Sequence, residues 1–377
     1  MTKPAAPALY GLARETCGLM RTCLWSAWKA LTNLLGQVER WLTARKHASY
    51  GLAVARMLLG VMIIGFVVSN LSTLRYTFGA GAAWSGQLLY PTSDFAGIFP
   101  FSLVNQAAHT DTGITLVSIA LIVCAAMFML GYRTRLVMVP LFVLWVGFLS
   151  INTYVQDQSD NLTRMSMIYM FFTALGDRWS LDARRRRKWR GTGGGLLARW
   201  WRYQRVLPTQ GTNLFHNLGL VLIVCQLCFV YASGGLFKAA GEPWKDGTAV
   251  YDPLQTERFG TWPILSEIAT TWGPGVAIAT IATVLIQVSF PFMMLNRFTR
   301  IVAIAIILFF HASIGVLMGL PWFSLSMVAL DAVFVSDKTW RKLQWLVRTS
   351  YRSRRPRKYE EPNTETERSA IEVAAVP

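Results

Sequence analysis

Apolar residues fall in long runs divided by short polar or cationic stretches. Eight runs stand out, at 52–70, 114–130, 136–151, 161–175, 214–232, 275–295, 301–317 and 320–335. A helix that crosses a bilayer without tilt needs about 20 residues. Each run is therefore read as a span, with the third, fourth and eighth short enough to borrow flanking residues or to tilt less. Ahead of them, Leu24, Trp28, Leu31, Leu35, Val38 and Leu42 recur at spacings of four and three, on one helix face. Arg21, Lys29, Arg40, Arg45 and Lys46 lie elsewhere on that helix. An amphipathic helix over 12–46 either lies in the membrane interface or packs on the inner face of the bundle. The predicted fold class is all-α: a polytopic membrane helix bundle of about eight transmembrane helices behind an N-terminal amphipathic helix.

The cations orient it. They crowd the segment before the first span and the loops after the second (Arg133, Arg135), fourth (the Arg184–Lys188 run, Arg190, Arg199, Arg202, Arg205) and sixth (Arg297, Arg300). They return after the eighth, at Lys338, Arg341, Lys342 and Arg348. The alternate loops are poor in them: 71–113 holds Arg75 alone, 152–160 holds none, and 233–274 sets three cations against five acids. Cytoplasmic loops carry the Lys and Arg excess, so both termini are expected in the cytoplasm. The domain organisation follows: 1–47 is a cytoplasmic or interfacial segment, 48–338 the transmembrane domain, and 339–377 a basic, then disordered, tail.

Composition agrees. Of 377 residues 53% are hydrophobic and 15% charged, against about 25% charged in soluble domains. That excludes disorder, collagen and a string of soluble domains. The net charge of +17 lies between and beyond the apolar runs, so it signals cytoplasmic loops and a membrane-lipid partner, and no nucleic acid is expected. The Arg184–Lys188 run is read as a stop-transfer and lipid anchor, and Gly193-Gly-Gly195 as a flexible break. The five cysteines form no disulfide framework, and Cys225-Gln-Leu-Cys228 is read as packing within a span. No phosphate-binding loop and no His or Cys cluster with metal-ligand spacing occurs, so no metal site is expected. No signal peptide is expected over 1–53.

Candidate chemistry lies on the outer side. After the fifth span, Gly234 and Gly235 are expected to end the helix, leaving Lys238 in a loop between apolar neighbours. A lysine so placed is either a base, activated by lost solvation, or a side chain snorkelling to headgroups. His311 sits within the seventh span, as a functional group or a packed, hydrogen-bonded one. Gln226 and Gln287 are expected to bond between helices, and Asp331 to cap the last span. Asp157, Asp160 and Asn161 open the fourth span, as caps or as part of one outward site with Lys238.

These residues resemble a family. Gly131-Tyr-Arg-Thr-Arg135, Asp160-Asn-Leu-Thr-Arg164, Gly176-Asp-Arg-Trp-Ser-Leu-Asp182, Gly234-Gly-Leu-Phe-Lys238 and Trp244-Lys-Asp-Gly247 are similar to motifs of the HTTM (horizontally transferred transmembrane) domain. That domain is shared with vitamin K-dependent gamma-carboxylase and with the B protein of the bacterial sporulation-delaying toxin system. The resemblance spans roughly residues 48–338. It implies that Lys238 is the base that deprotonates a reduced quinone and that His311, in Phe310-His311 before Phe323-Ser-Leu-Ser-Met327, is a site histidine. Where the carboxylase has an Asn-His pair this chain has Asn161-Leu162, and no propeptide-binding domain is expected after the bundle. Both departures fit the smaller toxin-maturation branch better.

Three functions follow as expectations. The first is a bacterial plasma-membrane maturation factor acting at the outer face on an exported peptide, with a small accessory protein. In it Lys238 and His311 are catalytic, and Asp157, Asp160, Asn161, Trp244 and Asp246 shape the substrate site. The second is a quinone-dependent, carboxylase-like enzyme. The third is a non-enzymatic peptide or lipid transporter or immunity protein.

Overall fold

A computed structural model describes residues 6–86, 90–188, 195–201 and 208–353. The expected glycine break at 193–195 and the disordered tail fall almost wholly outside them. Among the described residues the chain is all-helical, with no strand. It divides into two compact units, Met1–Val335 and Ser336–Pro377.

The first unit opens with α1 (Ala6–Thr43) and α2 (Ser49–Ser69). Short helices α3 (Leu74–Phe78) and α4 (Ser102–Ala108) lead to α5 (Asp111–Leu130), α6 (Thr134–Ser150) and α7 (Gln158–Met170). After α8 (Leu181–Lys188) and α9 (Leu196–Trp201) comes the long α10 (Thr209–Ala240). Three short helices, α11 (Glu242–Lys245), α12 (Tyr251–Gln255) and α13 (Pro263–Thr271), precede α14 (Gly273–Met293), α15 (Arg297–Leu317) and α16 (Pro321–Asp331). The second unit holds α17 (Asp337–Ser353).

Five helices, α2, α5, α10, α14 and α15, are long and apolar enough to cross a membrane. The runs flagged as short correspond to α6, α7 and α16, with 17, 13 and 11 residues. At 1.5 Å per residue, α7 reaches only about 20 Å. Local chemistry sets the ends. The Thr110 hydroxyl accepts from Gly113 N–H at 3.0 Å to start α5. Gly131, at φ 67, closes it with bonds from Gly131 and Tyr132 N–H to the Phe128 and Met127 carbonyls. Prolines at the first turns start α13, α14 and α16.

The most enclosed span is α2, 61% buried against 17% for α15. Its glycines bring neighbours close: a Cβ on Gly60 would stand 2.6 Å from the Met129 side chain of α5. One on Gly65 would stand within the Trp322 ring of α16. Small residues of this kind let membrane helices gain packing contact where no hydrophobic drive exists between them. From Met20 to Thr43, none of the described α1 side chains is buried. Trp25, Trp28, Leu31, Leu35 and Val38 are exposed, so this stretch is not covered by the bundle.

Candidate functional site

The helix α10 does not end at Gly234 and Gly235. It runs on to Ala240, and the two glycines serve packing instead. A Cβ on Gly235 would lie 2.8 Å from the Val288 side chain and 2.9 Å from its backbone nitrogen, so α10 and α14 meet there. Continuous packing against α14 outweighs the helix-breaking tendency of two glycines, about 1 kcal/mol each. Lys238 therefore stands in the last turn of α10, not in a loop. It is half-buried, and its ammonium lies 5.5 Å over the Trp244 ring of α11, a cation–π contact. A Cβ on Gly234 would be 3.8 Å from Lys238 Nζ and 3.9 Å from Gln287 Oε1, so both atoms border the space that Gly234 leaves free. No carboxylate pairs with Lys238 among the described residues. Its flanking Leu236 and Phe237 are exposed.

Deeper in the bundle, α10, α15 and α16 bring three ionisable side chains into one chain of hydrogen bonds. The Tyr231 hydroxyl donates to Asp331 Oδ2 at 2.6 Å and stands 3.0 Å from His311 Nε2. All three residues are buried, at 2%, 2% and 1% exposure for Tyr231, Asp331 and His311. Phe290 packs on Tyr231 at 4.4 Å between ring centroids, and Phe323 on His311 at 5.9 Å. Asp331 lies about ten residues, or roughly 15 Å, from the start of α16. It does not cap the last span as expected; it sits inside the bundle.

Two proton placements satisfy the same three atoms. With Asp331 ionised, Tyr231 donates to it and His311 Nε2–H donates to the Tyr231 oxygen. With Asp331 protonated, it donates to Tyr231, which donates to an unprotonated His311 Nε2. With His311 Nδ1 protonated in both, moving two protons along the chain interconverts an imidazolium–carboxylate pair and a neutral imidazole–carboxylic acid pair, so the arrangement can relay a proton between His311 and Asp331. Each end has an atom left over: His311 Nδ1 and Asp331 Oδ1 are buried without a hydrogen-bond partner.

Gln226 Oε1 and Gln287 Oε1 are also buried and unpartnered, as are Thr163 Oγ1, Ser166 Oγ and Ser324 Oγ. The expectation that the two glutamines bond between helices is not met at their oxygens. Buried polar atoms are normally satisfied, because an unmade bond costs about 1–3 kcal/mol. Such atoms occur on α7, α10, α14, α15 and α16.

The other expected site residues do other work. Asp157 and Asp160 form a reciprocal cap on α7: Ser159 N–H donates to Asp157 Oδ1 at 2.7 Å, and Asp157 N–H to Asp160 Oδ2 at 2.9 Å. Exposed Asn161 accepts from Arg164 Nη2 at 2.7 Å. Asp246 is exposed just after α11, its backbone N–H bonded to the Glu242 carbonyl. Among the described residues no hydrogen bond or ion pair joins these four to Lys238; only Trp244 does so, through its ring.

The motifs at 131–135 and 176–182 meet at the opposite end of the bundle. The Asp182 carboxylate accepts from Arg133 N–H, Thr134 N–H and the Thr134 hydroxyl, all within 2.9 Å, capping α6. Arg56 of α2 is fully buried beside it and donates from Nη2 to the Trp179 carbonyl at 2.7 Å. A Cβ on Gly131 would collide with Arg56 Nη1, so that position needs glycine for space as well as for its positive φ. Nearby, Asp177 pairs with Lys46 at 2.6 Å and Arg186 at 3.2 Å. Burial acts to raise its carboxyl, but these two cations outweigh it and hold the group below its ordinary value.

Tyr231 and Asp331 escaped the sequence reading as site residues. The available signal was an aspartate ten positions into an apolar run, where a carboxylate is costly and usually functional. All-helical architecture and five spanning-length helices define the class: a helical membrane protein. No protein-family model, curated protein or solved structure matches this chain.

Proposed function

We propose that this chain is an HTTM-like, eight-span plasma-membrane protein with both termini in the cytoplasm, acting at the outer face in maturation of an exported peptide. Lys238 is the base or substrate contact, and Tyr231, His311 and Asp331 form the relay behind it. The observation that carries this reading is the placement of Lys238 over the Trp244 ring at the end of α10, the helix that also supplies Tyr231 to the relay. Lys238 has no carboxylate partner among the described residues, so its amine is not committed to an ion pair. A histidine with a free ring nitrogen can take a proton onward. The test is mass spectrometry of secreted peptides from cells carrying this protein, its Lys238→Ala form, or neither. A peptide mass that changes only with the intact lysine is the expected result; normal maturation by a membrane-resident Lys238→Ala protein sinks the proposal.

The orphan atoms Gln287 Oε1 and His311 Nδ1 favour a quinone-dependent, carboxylase-like form of the same chemistry. Gln287, His311 and Lys238 would be the residues to hold the hydroxyls of a reduced quinone and take a proton. When bound and oxidised by molecular oxygen, a reduced quinone would supply a base strong enough to remove a glutamate proton, and carbon dioxide would add to the resulting carbanion. Labelled carbon dioxide entering peptide glutamate under reducing conditions tests it. The buried Asp331 favours a third reading, a proton-linked transporter of a peptide or lipid. There Lys238→Arg leaves function intact, whereas an arginine cannot serve as a deprotonated base.

A further inference from the structure

At the end of the bundle away from Lys238, a cavity of about 1130 Å³ opens between the starts of α2, α6 and α10 and the end of α7. It is larger than the ~300–1,000 Å³ typical of small-molecule sites. Six cations line it: Arg45, Lys46, Arg133, Arg135, Arg178 and Arg186. Two carboxylates face them, and both are committed. Asp177 is shared by Lys46 and Arg186. Asp182 caps α6 through three hydrogen bonds and lies beside Arg56. Arg45, Arg135 and Arg178 are exposed and form no ion pair among the described residues. Arg178 is held over the Tyr50 ring at 5.0 Å.

The rest of the wall is apolar. Leu136, Met138, Met170 and Phe171 line it, with Phe172 and Phe215 half-exposed at its edge. A soluble anion has no use for such a rim, whereas a lipid carries acyl carbons that can cover it. We propose that the cavity is a binding site for the phosphate-bearing headgroup of an anionic lipid, drawn from the leaflet that faces the cationic loops. The guanidinium groups take the phosphate by paired, charge-assisted bonds, and the aromatic edge takes the first acyl carbons. This differs from a diffuse lipid-surface anchor, because it predicts retention of particular lipid molecules and dependence on particular arginines.

The full chain in nanodiscs of mixed phosphatidylcholine and phosphatidylglycerol, released and weighed by native mass spectrometry, tests the site. The expected result is retention of phosphatidylglycerol over phosphatidylcholine, weakened about tenfold to a hundredfold in R45Q/R135Q/R178Q. R184Q/R187Q/K188Q, which removes three α8 cations outside the cavity, should leave retention unchanged. Equal retention of both lipids by the unaltered protein overturns the proposal, and so does equal loss in the two triple variants. Competition by inorganic phosphate or glycerol 3-phosphate at concentrations matching the lipid also overturns it, by making the ligand a soluble anion. Should the cavity triple variant fail to fold, R135Q alone and the lipid preference of the unaltered protein decide.

Discussion

Two buried histidines stand on spanning helices of this bundle and are treated oppositely. His216, near the start of α10, has both ring nitrogens engaged: Nδ1 accepts from Ala174 N–H at 2.9 Å, and Nε2 donates to the His47 carbonyl at 2.8 Å. Beside it, Asn217 takes His47 N–H at 3.1 Å and donates to the Trp41, Leu42 and Arg45 carbonyls. His311 has one nitrogen on Tyr231 and the other without a partner among the described residues, and Gln287 of α14 likewise keeps an unpartnered oxygen. The first pair is a clamp that ties the turn between α1 and α2 to α10, and every one of its bonds is to a backbone group. The second is a relay with loose ends. Evenly satisfied polar groups hold a fold; unsatisfied ones at similar burial retain capacity for a ligand or a proton.

Breaking the two sites should separate these roles. The largest effect is expected from Lys238→Ala, which abolishes peptide maturation while the protein still accumulates and melts normally. Lys238→Arg should be equally inactive, read by the same peptide mass. Next, Asn217→Ala removes a residue that serves four backbone groups. It should cost about 2–4 kcal/mol at roughly 1 kcal/mol per bond, seen as a lowered Tm in detergent, with residual activity in the folded fraction. His311→Gln should do the reverse: a large loss of maturation with a smaller shift in Tm, since only one hydrogen bond is lost. A comparable loss of stability at both positions would erase the distinction.

Smaller effects sharpen the contrast. Gly234→Ala places a methyl at ordinary contact distance from Lys238 Nζ and Gln287 Oε1. It should fold and lose activity, whereas Gly235→Ala presses on the Val288 backbone and should lose stability, by about 1–3 kcal/mol. The smallest effect concerns pH. Asp177 is held below its ordinary value by Lys46 and Arg186. Its contribution is present above the unfolded carboxylate pKa of about 4 and fades as pH falls through the lowered folded value. Tm measured against pH should show that acid-side loss in the native protein and a flatter curve in Asp177→Asn.

Much of this architecture was legible from hydropathy and charge. The long apolar runs became α2, α5, α10, α14 and α15, and the runs read as short became short helices, because burial from water is a property of runs, not of partners. The capping of α7 by Asp157 and Asp160 was legible too, since that chemistry is local and lies within four residues. Gly234 and Gly235 were misjudged for a related reason. Local propensity says stop, but the α14 surface opposite Gly235 requires a residue without a side chain. Arg56, near the start of the first apolar run, is buried against a carbonyl 123 positions away. Nothing near it in sequence announces that partner.

Apolar periodicity and the alternation of cations thus specify a helical membrane protein and single out Lys238 and His311, because transfer free energy and side-chain chemistry belong to individual residues. The joining of Tyr231, His311 and Asp331 into one relay, and of 131–135 with 176–182 around Arg56, depends on helix crossings. Those crossings are set by where glycines let backbones approach and by which polar groups find partners across 80 or 100 residues of chain. Packing of that range has no signature in any one stretch of sequence.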